Sequence, residues 1–226
     1  MNTLISALAL GTAALSSAPT LAAPVVAAPA KPVDQLVALL LSEEALVRLG
    51  VRAFDVSFER EVSTDPALRA TYARHAGLKG HVAGALRPAF VKALKKEIPA
   101  LRREIRAIAS NGLTATEIAD SLVFFASPTG QKVRAKVYET MGNDPTKSPE
   151  AMRSAAMSAV MANMKPADYP ALIAFGASSA ASKMNTLNPR IAAASQAWSD
   201  RLVAKHGPRM RSLAAAAAKR YLKGKK

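Results

Sequence analysis

The stretch LTATEIADSLVFFASPTGQKVRAKV, residues 113–137, decides how this chain folds. Thr114 and Glu117 have the T-x-x-E spacing of a capping box, in which each side chain satisfies a backbone N–H that a helix start leaves unpaired. Ile118, Leu122 and Phe125 then fall on one helical face. Ser127 followed by Pro128 marks a second start. The hydroxyl accepts from an orphan N–H, and proline at the first helical position gives up nothing. Gly130, Val133, Val137 and Met141 share a stripe of this second helix, so Gly130 lets a neighbouring backbone approach. The segment reads as a helix-to-helix corner.

Other readings of SPTGQK compete with that one. As a nucleophile Ser127 lacks the G-x-S-x-G elbow of serine hydrolases, and a capping hydroxyl is already committed to backbone. As a phosphate cradle the segment has one glycine and Lys132, without the G-x-x-x-x-G-K-[ST] pattern. The corner reading accounts for more of its residues.

Outward from the corner, Asp65-Pro66, Ser148-Pro149 and Asn188-Pro189 repeat the cap-then-proline form, and Gly77, Gly112, Gly142 and Gly207 stand where a left-handed residue would close a helix. No segment sustains strand alternation. The expected fold is all-α, a compact bundle of about 8 to 10 helices joined by turns that proline and glycine mark. Helices are expected over 33–62 with Gly50 as the place for a break, then 66–76, 80–96, 99–111, 115–126, 128–141, 149–164, 169–186, 189–206 and 208–222. Residues 33–226 form one domain in this reading.

The corner recurs. A shift of 51 residues lays 113–133 over MKPADYPALIAFGASSAASKM, residues 164–184, and matches Phe124 with Phe175, Ala126 with Ala177, Ser127 with Ser178 and Lys132 with Lys183. Glu117 falls on Asp168, and Gly130 on Ala181. The second copy has Ser179 and Ala181 where the first has proline and glycine.

An acidic residue, apolar residues, Phe124-Phe125 and then Ser127-Pro128-Thr129-Gly130-Gln131-Lys132 resemble the signature of the bacterial domain of unknown function 2059 family, closely over 113–141 and loosely to 184. The resemblance implies an exported helical protein. It carries over no catalytic residue, and tyrosine is frequent in that family at the position of Phe125.

Residues 1–22 read as a secretory signal, with an apolar run from Leu4 to about Ala18 and cleavage after Ala22. The run falls short of the roughly 20 residues a bilayer requires. No transmembrane span would then remain, and residues 23–32 would be a disordered Pro/Ala lead-in. The expected location is the periplasm or another exported compartment.

There is no cysteine, which excludes disulfides, thiol nucleophiles and cysteine metal sites. The net charge of +15 is uneven: residues 33–65 carry seven acidic and three basic side chains, against nine and 27 over 66–226. In an exported protein such an excess faces anionic envelope lipid, polymer or another envelope protein. Nucleic acid is not expected, since the aromatic residues do not interleave with the basic clusters.

In the basic segment 208–226, Met210, Leu213, Ala214, Ala217 and Tyr221 line one face. Arg209, Arg211, Lys219, Arg220 and Lys223 would make the anionic contact. A tail docked on the acidic first helix is the alternative. His75, His81 and His206 lack metal-ligand spacing, so no metal or cofactor site is expected. The reading is a non-enzymatic binding or structural module, with an envelope-polymer hydrolase or a chaperone-like binder as alternatives.

Overall fold

The structure, a computed structural model, describes residues 31–143 and 149–224. The expected signal, most of the lead-in and the Ser148 cap lie outside them. The described residues are all-α: α1 Pro32–Leu40, α2 Glu43–Thr64, α3 Pro66–Arg74, α4 Leu78–Gly112, α5 Ala115–Ala126, α6 Pro128–Asn143, α7 Pro149–Asn163, a 3-10 turn at Pro166–Asp168, α8 Tyr169–Gly176 and α9 Ser179–Lys223.

Two expected breaks are absent. The helices expected over 80–96 and 99–111 are one, α4, with Pro88 and Pro99 inside it. Those expected over 189–206 and 208–222 belong to α9, which runs through Pro189 and Pro208. Asn188 therefore starts no helix, and Gly207 ends none. All four prolines face solvent. An interior proline frees the carbonyl four residues earlier and bends the helix. On a wet face water can take up that carbonyl, while the opposite face stays buried along its length.

Two breaks fall elsewhere than expected. Helix α2 continues through Gly50, and the chain turns at Leu41 and Ser42, where the Ser42 side chain accepts from the Ala45 N–H at 3.1 Å. The run expected as one helix over 169–186 breaks at Ser178, where the repeat places its second corner. Of the four glycine stops only Gly77 has a left-handed backbone, φ 86°. Gly112 ends α4 into extended Leu113, and Gly142 lies in the last turn of α6.

The end of α1 shows how a break is held. The final carbonyls of a helix have no partner within it. Here the Arg134 guanidinium donates to the Leu39 carbonyl at 2.8 Å, the Tyr138 hydroxyl to Leu40 at 2.7 Å, and Arg102 to Leu41 at 2.7 and 3.0 Å. Arg134 is buried, which pulls its pKa down to about 10; burial also pushes the Tyr138 hydroxyl up.

Charge sets the register of the acidic N-terminal helices on basic α4. Asp34, Glu43, Asp55 and Glu59 pair in order with Arg106, Lys95, Arg87 and Lys79, at 2.8, 3.1, 2.7 and 2.5 Å. The two runs are antiparallel. Exposed pairs add about 0–1 kcal/mol each, so the ladder specifies alignment more than it stabilises.

The core has three parts. The largest joins α1, α2, α4, α6, α7 and α9, with Ile98, Leu101, Met141 and Trp198 within it. A second surrounds the corners, with Leu36, Phe124, Phe125 and Leu187. The third seats the end of α9 on the start of α4, where Ala217 packs with Leu78, Val82 and Leu86. The apolar stripe of the basic C-terminal helix therefore packs against α4, beside Phe54 and Phe58 of α2, with Ala217 buried and its other members half-buried. Tyr221 closes this docking by donating to the Ala76 carbonyl. Its hydroxyl lies 2.7 Å from where a Cβ on Gly77 would stand.

Candidate functional site

The corners are two copies of one geometry. Ser127 Oγ accepts from the Gly130 N–H at 3.1 Å and donates to the Phe124 carbonyl at 2.6 Å. Ser178 Oγ does the same with Ala181, at 3.2 Å, and Phe175, at 2.6 Å. Both hydroxyls are thus committed to backbone. Pro128 takes the first position of α6. The capping box is present, with the Thr114 N–H on Glu117 at 2.8 Å and the Glu117 N–H on Thr114 Oγ1 at 3.2 Å. The second copy keeps the carboxylate half, the Lys165 N–H donating to Asp168 at 3.0 Å. A Cβ on Gly130 would lie 2.0 Å from the Phe124 carbonyl oxygen. With Ala181 in that place, the second corner must stand wider.

The copies also face each other reciprocally. Asp168 of the second receives Lys132 of the first at 2.8 Å on both oxygens, and Thr129 at 3.0 Å. Lys132, backed by the Lys165 N–H and the Thr129 hydroxyl, holds the buried Asp168 carboxyl down at about 2. Glu117 of the first copy is likewise buried. The Thr114 backbone N–H lowers its pKa most, helped by the Ser179 hydroxyl and the charge of Lys183, both from the second copy. Phe124 and Phe175 stack between them, and Phe125 packs edge-on against both. Each half offers the other's carboxylate a lysine and a hydroxyl, which approaches a twofold relation, although of these only Lys132 and Asp168 form an ion pair. The polar groups named here pair with one another or with backbone.

Five further aromatic residues gather elsewhere. Phe54 and Phe58 of α2, Tyr72 of α3, Phe90 of α4 and Trp198 of α9 line a cavity of about 350 Å³. Phe54 stacks on Phe90 with centroids 5.2 Å apart, and the Trp198 indole N–H is held by the Glu97 carbonyl at 2.9 Å. Leu46, Val62, Leu94, Leu202 and Met210 complete the apolar wall. The polar lining is sparse: Ser57, Glu61, Ser199, His206 and Arg211. His206 contacts Glu97 at 3.1 Å, and Glu97 also receives Lys205 at 2.7 Å; the two, Lys205 foremost, lower the Glu97 pKa. The cavity falls in the range of small-molecule sites, about 300–1,000 Å³, with their apolar lining and few polar groups.

Of the expected anionic-contact residues, Arg209, Arg211, Lys219, Arg220 and Lys223 are all exposed on α9, and no ion pair among the described residues includes them. Arg211 alone reaches the cavity lining. His75 caps the end of α3, and His81 packs against the Tyr221 ring. Among the described residues no three His, Asp or Glu side chains converge, and no helix is long and apolar enough to cross a membrane. The sequence reading missed the cavity, because its aromatic residues come from four helices far apart in the chain. The one usable signal was their company: Phe54 and Phe58 share a helical face at a spacing of four.

No protein-family model, curated protein or solved structure matches this chain.

Proposed function

We propose that this chain is an exported helical protein of the bacterial cell envelope that works as a non-enzymatic binding module, holding an apolar ligand between α2, α3, α4 and α9. The observation that carries the reading is the aromatic cavity of about 350 Å³. An engineered apolar cavity of about 150 Å³ is enough to take up benzene. On that scale this one has room for roughly a dozen carbon atoms. Export is supported by the apolar run and small residues of 1–22, and by the resemblance of 113–141 to an exported family. The basic C-terminal half supports a partner that is an anionic envelope lipid or polymer.

Equilibrium dialysis of the protein against radiolabelled dodecanol tests the reading. Saturable retention that is lost on Ala214→Phe, which places a ring in the cavity, supports it. Retention indistinguishable between the two proteins refutes it.

A further inference from the structure

Building on the cavity reading, we infer that the ligand is a single-chain amphiphile with an anionic head, its chain among Phe54, Phe90 and Trp198 and its head at Arg211 of α9. The lining holds two groups with free charge, Arg211 and Glu61, because His206 is occupied by Glu97. They are not equivalent. Arg211 belongs to a stretch, from residue 201 onward, with nine lysines and arginines and no acid. No carboxylate among the described residues pairs with it. Its Nη1 lies 3.5 Å from where a Cβ on Gly207 would stand, so the guanidinium folds back over a residue that itself lines the cavity. Glu61 stands on a different wall, α2.

The head therefore meets a planar fork of donors suited to carboxylate or phosphate, at the edge of an apolar chamber. A chain buried in the aromatic part with its head in water at the mouth satisfies both surfaces at once. The net charge of +15 draws an anion to that mouth and repels a cation.

The experiment compares dodecanoate, dodecanol and dodecylammonium by the emission of Trp198, the only tryptophan, at low and high salt. Dodecanoate should bind about fivefold or more tighter than dodecanol at low salt, and Arg211→Gln should erase that difference without weakening dodecanol. High salt should narrow it. Arg103→Gln, an exposed change on α4 outside the lining, serves as the control and should leave all three unchanged. If dodecanol binds and dodecanoate gains nothing, or if dodecylammonium binds best, the anionic head is wrong while the cavity reading survives. If none of the three changes the emission, both fall.

Discussion

Phe124 and Phe175, equivalent residues of two corners 51 positions apart, stack on each other with ring centroids 4.1 Å apart and planes 1° from parallel. Around this pair each copy gives its carboxylate to groups of the other, so the repeat is a repeat of contacts as well as of letters. Removing one ring opens a cavity in a buried cluster. Phe124→Ala should cost about 3–5 kcal/mol by urea unfolding. In a double-mutant cycle with Phe175→Ala, the pair should couple by about 0.5–1.5 kcal/mol. Strict additivity would show that the stack contributes only burial.

Gly130→Ala and Ala181→Gly are opposite tests of one position. The first pushes a Cβ into the Phe124 carbonyl, a backbone atom that has nowhere to go, and should cost at least about 1–3 kcal/mol. The second should cost only the helix preference of alanine, about 1 kcal/mol. Equal losses would mean that both corners are equally wide.

Acid should loosen the paired corners before it unfolds the bundle. Asp168 has a folded pKa of about 2, below its unfolded value of about 3.9, so its contribution is complete above the unfolded value and disappears as pH falls through the folded one. The urea midpoint should fall between about pH 4 and pH 2. Asp168→Asn should lower the midpoint at neutral pH and flatten that part of the profile. A variant with the same acid slope as the parent would place the linkage on another carboxylate.

These corners were legible in the sequence because their signals are local. A capping box, a serine before proline and a glycine on a packed stripe each act within a few residues, and 113–137 contains all three. The repeat carried the second corner even though periodicity alone favoured a continuous 169–186. The long helices were not legible for the converse reason. Pro99, Pro189 and Pro208 look like punctuation, and only their solvent-facing side, a tertiary fact, lets α4 and α9 continue. The turn before α2 was legible and misread, since Ser42-Glu43-Glu44 is a capped start with acids in its first turn. The cavity had no local signal beyond the four-residue spacing of Phe54 and Phe58, since its walls come from four helices.

Tyr138→Phe tests how the α1 end is held. It keeps the ring and removes the donor to the half-buried Leu40 carbonyl, which should cost about 1 kcal/mol in chemical denaturation. A neutral substitution would indicate that water or a neighbour replaces the phenol.

A binding role requires that the chamber between α2, α3, α4 and α9 accept an apolar chain, and Trp198 on its wall reports this directly. Titrating the protein with dodecanol while following Trp198 emission should give a saturable change that Ala214→Phe abolishes without loss of helicity. Emission that stays constant to saturation of the ligand in both proteins would contradict it.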